Sequence, residues 1–300
     1  MHEFARAGRH YVLRVSPPSD EISPYAMKAI LAWMRFLAER GASVTKPILS
    51  TQGNLVECIE QEEGRYVVVA FDKATGVLAE ELSLDRWNER LFETLGRTAG
   101  QMHALAKVYV PASDALRRPG WDQTGNCFNP VDELETLPQS IQEKRVAVLK
   151  HVRTLPKDRD SYGLIHADFH GGNFFVDTES GTITVFDFDD CAYGCFVMDV
   201  AMNLFDMLVL YAGGDAEAFA TKFMKAYLRG YRDENPLGAF WIGQLPHFLK
   251  LLEIGVYAQV HQYHDPEDPD PWVGKFMVDR RYRIEHDGPY VDVDFEEMLS

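Results

Sequence analysis

Between residues 9 and 15 the chain alternates, with Tyr11, Leu13 and Val15 on one side and His10, Val12 and Arg14 on the other. A period of two is the mark of a half-buried strand. The Ala7-Gly8 turn predicts a partner strand over residues 2–6, and Pro17-Pro18 ends the run. At Ser23-Pro24 the period lengthens to that of a helix. A capping serine and a first-turn proline precede Ile30, Trp33, Met34 and Leu37 on one face, and Gly41 closes it. Residues 54–60 and 65–71 predict two further strands about Glu62-Glu63-Gly64, and Lys73-Ala74-Thr75-Gly76 has turn chemistry. Beyond it the pattern is mostly helical. A helix is expected over 85–105, carrying Trp87, Leu91, Leu95 and Met102, then a loop over 111–130 and a charged helix over 138–155. Residues 173–177 and 182–186 predict a hairpin about Thr178-Glu179-Ser180-Gly181. Helices are expected over 196–211, 216–231 and 240–263. The outcome is an α+β chain of two lobes: residues 1–75, a small antiparallel sheet with one helix, and residues 76–300, larger and helical.

Composition sets limits on this picture. The chain has 300 residues, 46% of them hydrophobic and 25% charged, enough for two lobes with their own cores. No apolar signal core opens it, and the most apolar stretch, 196–212, is interrupted by Asp199, Asn203 and Asp206. A soluble, cytoplasmic protein without a membrane span is expected. Cys58, Cys127, Cys191 and Cys195 form no C-x-x-C pair and are too sparse for a disulfide scaffold, so reduced thiols are expected. The formal charge of -16 argues against a nucleic-acid surface and suits a cationic small molecule. Nothing in the sequence sets the oligomeric state.

The chemistry gathers between residues 164 and 190. His166, Asp168 and Asn173 fit the spacing H-x-D-x-x-x-x-N, and an apolar strand ends in Asp187 fourteen residues after Asn173. This order suits phosphoryl transfer, whose loose transition state asks the protein mainly to position an acceptor hydroxyl and to hold Mg²⁺ against the phosphates. Asp168 would orient the hydroxyl and take its proton. Asp187 and Asn173 offer one carboxylate and one amide oxygen, a sensible set for a hard cation that keeps several waters.

HADFHGGN at 166–173 followed by VFDFDD at 185–190 resembles the aminoglycoside phosphotransferase and choline kinase-like family, relatives of the protein kinases. YVLRVS at 11–16, LAERGASVTKPI at 37–48, VVVAFDKATG at 67–76 and LPHFLKLLEIGVY at 245–257 follow the family in order, so the likeness covers most of the chain. It implies a two-lobed protein-kinase-like fold and transfer of the γ-phosphoryl group of ATP, with GTP also compatible, to a small-molecule hydroxyl. Aminoglycoside, choline-like amino alcohol and homoserine acceptors all fit, as does a protein serine. It implies Asp168 as catalytic base, Asn173 and Asp187 as magnesium ligands, and Arg14 in the place of the phosphate-binding strand lysine. The backbone near Phe71 and Asp72 would meet the adenine. His166 would support the site, and Asp199 would brace the catalytic loop by accepting its N–H groups. Two departures stand out. The family's first strand and Gly-rich loop are expected to be absent, since residues 2–6 supply only the second strand. Ile30 stands where a glutamate would pair with the strand cation, so Arg14 is expected to lack a partner.

Other readings compete. A weak or silent binding protein on a kinase fold is motivated by those departures. A metal-dependent hydrolase could use the cluster His166, Asp168 and His170 with Asp187, Asp189 or His264. Asp189 and Asp190, beside the proposed metal, read as a second metal contact, an acceptor contact or loop solvation. His103 and His151 read as surface or satisfied helical residues. Asp199, Asn203 and Asp206 recur at i, i+4 and i+7, so one polar stripe of an apolar helix faces solvent or the cleft. The Pro-spaced acidic loop at 264–271 and the acidic tail at 292–297 read as solvated surface, the former able to select a cation if folded over the cleft.

Overall fold

In the computed structural model, residues 1–18, 23–123, 128–129, 137–211, 213–264 and 271–299 are described. Most of the acidic loop at 264–271, and Cys127, lie outside them. The N-lobe begins with strand β1 (His2–Arg6), joined to β2 (Arg9–Ser16) by the Ala7-Gly8 turn, where both residues have positive φ. Helix α1 (Pro24–Glu39) follows, with Ser23 accepting a hydrogen bond from the Ala26 N–H at 3.1 Å. Its predicted apolar face is buried, Trp33 and Leu37 almost completely. Then come β3 (Pro47–Ile48), β4 (Glu57–Gln61) and β5 (Gly64–Asp72). The sheet is antiparallel in the order β1-β2-β5-β3, with β4 also on β5, and the β2–β5 register sets Arg14 opposite Val69. β4 begins three residues later than the pattern suggested, because Asn54 is taken into a turn whose N–H meets the Ser50 hydroxyl.

The chain crosses to the C-lobe through Gly76, whose φ is +111° and whose missing side chain lets Val176 approach: a Cβ there would lie 2.3 Å from the Val176 carbonyl oxygen. Strand β6 (Val77–Leu78) accordingly pairs with the hairpin of the C-lobe, β8 (Phe174–Val176) and β9 (Ile183–Val185). The lobes meet again where the Thr45 N–H donates to the Val185 carbonyl at 2.9 Å.

Helix α2 (Glu89–Ala106) starts four residues after the expected position because Asn88 caps it, accepting from the Leu91 N–H. Helix α3 (Gln139–Val152) precedes β7 (Tyr162–Ile165), which pairs with β10 (Ala192–Cys195) in a ribbon the sequence pattern did not suggest. The remaining described helices are α4 (Val197–Leu210), α5 (Ala216–Glu234), α6 (Ala239–Ile242), α7 (Leu245–Tyr263), α8 (Pro271–Met277) and α9 (Arg280–Glu285). One helix was expected over 240–263. It is two, because Pro246 lacks an N–H and belongs in a first turn, so the chain restarts there. Helices α2 and α5 pack backbone to backbone: a Cβ on Gly96 would fall 1.9 Å from the Tyr227 carbonyl oxygen. Glu253 on α7 is fully buried and paired with Arg280 at 2.6 Å and with Lys250, which fixes α9 against α7.

Candidate active site

The segment 166–173 leaves the buried β7, turns through Ala167 at φ 67° and ends in a short helical turn that presents Asn173. A left-handed alanine is strained and persists only where its surroundings hold it. Here Asp199 does so. Its two oxygens accept the Ala167 N–H at 2.9 Å and the His166 N–H at 2.8 Å, the bracing implied by the family likeness. Asp199 is itself completely buried and receives His103 Nε2 at 3.0 Å; His103 Nδ1 in turn meets the Tyr231 hydroxyl at 2.8 Å. His103 is thus no surface residue. It orients the carboxylate that shapes the loop.

The rest of the α4 stripe faces the same loop. Asn203 donates to the Phe169 carbonyl and accepts from the Tyr227 hydroxyl at 2.8 Å. Asp206 accepts from the Gly171 N–H at 2.8 Å. One helix therefore satisfies four backbone groups between residues 166 and 171, and solvent is not what this stripe faces. His166 fills the space behind the loop, its Nε2 against the Phe186 carbonyl at 2.9 Å and its ring 4.5 Å from that of Phe188.

Asp168 points out of this frame. The Asn173 amide donates to its carboxylate and to its carbonyl, both at 2.8 Å, which leaves Asn173 Oδ1 without a hydrogen bond among the described residues. Asp187, at φ 58°, follows the second strand of the hairpin by two residues. Burial and the nearby Asp189 raise its pKa, with Arg14 acting against them. The backbone bond from the Phe186 N–H to the Asn173 carbonyl, 2.9 Å, brings the two residues near each other, and one carboxylate with one amide oxygen is a donor set that a hard divalent cation takes, with water completing its shell. Among the described residues no group of three or more His, Cys, Asp or Glu side chains could hold a metal.

The His166–Asp168–His170 cluster does not offer imidazole ligands. His166 Nδ1 receives the Asp168 N–H at 3.3 Å and His170 Nδ1 the Gly172 N–H at 3.0 Å. His170 Nε2 faces Asp168 at 3.4 Å. All four ring nitrogens are engaged, which removes the basis of the hydrolase reading. Burial opposes a charge on His170, yet Asp168, Asp206 and Glu80 draw its pKa up to about 9. The second proton comes only at the expense of the Gly172 bond.

Two cavities are lined by residues of this segment and its neighbours. One, of about 480 Å³, runs under the N-lobe and is lined by Arg14, Ile30, Phe71, Asp72, Phe186 and Asp187 among others. The Asp72 N–H is taken by the Lys46 carbonyl and the Lys73 N–H by that of His10. The other, about 330 Å³, has Asp168, His170, Glu80 and Asp206 at one side and Phe205, Val256 and Trp272 at the other. Burial, reinforced by Asp168 among others, raises the pKa of Asp206 to about 6, and burial with Asp168, Asp189 and Asp187 raises that of Asp190 to about 7.

Arg14 is not unpaired. Its guanidinium grips Asp189 with both terminal nitrogens, one at 2.9 Å, and lies 3.7 Å from Asp187. The counter-charge missing from α1 is supplied by the loop that carries Asp187. Arg118, which sequence reasoning passed over, steadies that loop from behind, donating to the carbonyls of Asp189 and Cys191, each at 2.7 Å.

Residues 4–237, which include the whole of the segment 164–190, match the phosphotransferase enzyme family. The chain belongs to that family. It is 33% identical over 306 residues to the amicoumacin kinase of Bacillus subtilis (strain 168), covering 100% of this chain and 88% of that relative. Its fold matches the structure of amicoumacin kinase hAmiN in complex with AMP-PNP, Ca²⁺ and Ami at a TM-score of 0.87 and 30% identity, over 99% of this chain and 88% of the other. A microcompartment-associated aminopropanol kinase shares the fold at a TM-score of 0.68 and 22% identity, over 94% of this chain and 88% of that one. The protein is a two-lobed, kinase-like phosphotransferase that acts on an alcohol group of a small molecule. No described helix is long and apolar enough to cross a membrane.

Proposed function

We propose that this phosphotransferase moves the γ-phosphoryl group of ATP to a hydroxyl of a cationic small molecule, an amino-alcohol-bearing compound of the amicoumacin kind. The single observation that carries this reading is the place of Asp168 on the wall of the smaller cavity, its carboxylate accepting from the Asn173 amide and sharing that wall with acidic Glu80 and Asp206. ATP would enter under the N-lobe, its adenine near Phe71 and Asp72 and its phosphates toward Arg14. Mg²⁺ held by Asn173 Oδ1 and Asp187 would neutralise charge on the phosphates. The acceptor hydroxyl would sit at Asp168, which orients it and takes its proton as the bond to phosphorus forms. Glu80 and Asp206 provide the negative field for an ammonium group, and Phe205 and Trp272 an apolar wall. The overall charge of -16 favours the approach of such a cation. Use of ATP suits a cytoplasmic protein.

The test is transfer of label from γ-³²P-ATP to amicoumacin and to a panel of amino alcohols and aminoglycosides, with Mg²⁺ present and absent. Labelled product formed only with metal, and lost in Asp168→Asn, is the expected result. Metal-independent labelling, or wild-type rates in Asp168→Asn, would contradict the reading.

A further inference from the structure

Arg14 stands on a wall of the nucleotide cavity whose α1 side is apolar: Met27, Ile30 and Met34. A guanidinium there, with its side chain only 19% exposed, needs an anionic partner, and the carboxylates acting on it are Asp189 and Asp187. Asp189 takes it in a fork-to-fork pair, the strongest geometry for Arg and carboxylate. Asp187 stands next in line at 3.7 Å. The two carboxylates are two residues apart on a loop whose backbone Arg118 fixes at Asp189 and Cys191, so neither can drift to accommodate the other.

We propose that Asp189 is a positioning residue, which occupies Arg14 and thereby keeps Asp187 free to take a divalent cation. The proposal rests on the reading of Asp187 as metal ligand given above. Without Asp189 the guanidinium turns the short distance to Asp187 and competes with the metal for its oxygens. In this arrangement the job of holding the strand cation has passed from the helix, where Ile30 stands, to the metal-bearing loop itself. Lobe approach and metal-site geometry are then set by one contact.

The test is binding of Mn²⁺ alone, followed by its paramagnetic effect on water relaxation in the full-length, nucleotide-free protein. Asp189→Asn should weaken binding about ten- to a hundredfold, the usual cost of removing a partner that orients a liganding group. Asp189→Asn with Arg14→Gln should return binding to within about threefold of the wild type, because the competitor is gone. Asp189→Asn with Lys73→Gln restores the same net charge without removing that competitor, and should stay weak. Persistent weakness in the Arg14→Gln double variant would show Asp189 to be a ligand itself and would overturn the proposal. Recovery in the Lys73→Gln double variant would reduce the effect to long-range charge and overturn it as well. Asp187→Asn serves as the control for the underlying reading: unchanged Mn²⁺ binding there would sink the metal assignment, and the proposal with it.

Discussion

The two sides of the reaction centre are built differently. On the proposed acceptor side, the loop 166–173 is fixed through the C-lobe core: Asp199, Asn203 and Asp206 of α4 bind its backbone, His103 and Tyr227 bind the first two of these, and Tyr231 holds His103. On the proposed nucleotide side, Arg14 reaches across from the sheet and is held by a part-exposed pair with Asp189. The loop that carries Asp168 is set by many buried bonds that share the load, whereas Arg14 depends on very few. Damage to the first side should therefore appear as lost turnover or lost stability, and damage to the second as weaker nucleotide and metal binding in an intact fold.

The largest effect is expected from Asp168, the proposed base. Asp168→Asn should lower kcat by roughly 10²-fold or more while leaving the melting temperature and the nucleotide affinity nearly unchanged, which calorimetry and steady-state kinetics read separately. Next comes Asp199→Ala. It strands two loop N–H groups and the buried His103, and should destabilise the protein by about 2–4 kcal/mol, measured by urea unfolding; a change below about 0.5 kcal/mol would mean the loop holds its shape by other means. Arg14→Lys probes the opposite side. A lysine cannot reproduce the forked contact to Asp189, so the nucleotide KM should rise about tenfold with kcat changed far less.

The smallest effect is a matter of pH. The Asp206 carboxyl titrates at about 6 in the fold, above its ordinary value of 3.8, so between these values the native state holds more proton than the unfolded chain and stability falls as pH rises. Asp206→Asn retains an acceptor for the Gly171 N–H and removes that penalty. Its melting temperature should match the wild type near pH 4, gain about 2–4 °C as pH passes 6, and stay level above it. A constant offset at every pH would place the effect in packing instead.

What the sequence made legible follows from which forces are local. The strand around Arg14, the Ser23-Pro24 start of α1 and the hairpin about residues 178–181 are decided by neighbouring residues, and the fold bears them out, although residues 11–15 of the strand are all half-buried instead of alternating. The i, i+4, i+7 stripe of α4 was visible as a pattern, but its target is a loop some thirty residues earlier in the chain, which periodicity does not report. His103 had a signal that could have been read: Gly96, Gly100 and His103 share one face of α2, and glycines spaced so mark a close-packed helix crossing rather than solvent. The Arg14–Asp189 pair joins residues 175 apart in sequence, and Arg118 lies in a loop without period. Neither has any local signature. Ile30 lines the same cavity as Arg14, while the conclusion that Arg14 would stand alone failed because a half-buried cation recruits whatever carboxylate the fold brings near.

The central claim is that Asn173 and Asp187 hold a divalent cation against the phosphates of a nucleotide bound beside Arg14. Thermal unfolding of the protein with ATP alone, with ATP plus Mg²⁺, and of Asp187→Asn under the same conditions, tests it most directly. At 100 times Kd a bound nucleotide adds about 2.7 kcal/mol, so a clear rise in melting temperature that requires Mg²⁺ and vanishes in Asp187→Asn is expected. An equal rise with and without metal, or a full metal-dependent rise in Asp187→Asn, would contradict the claim.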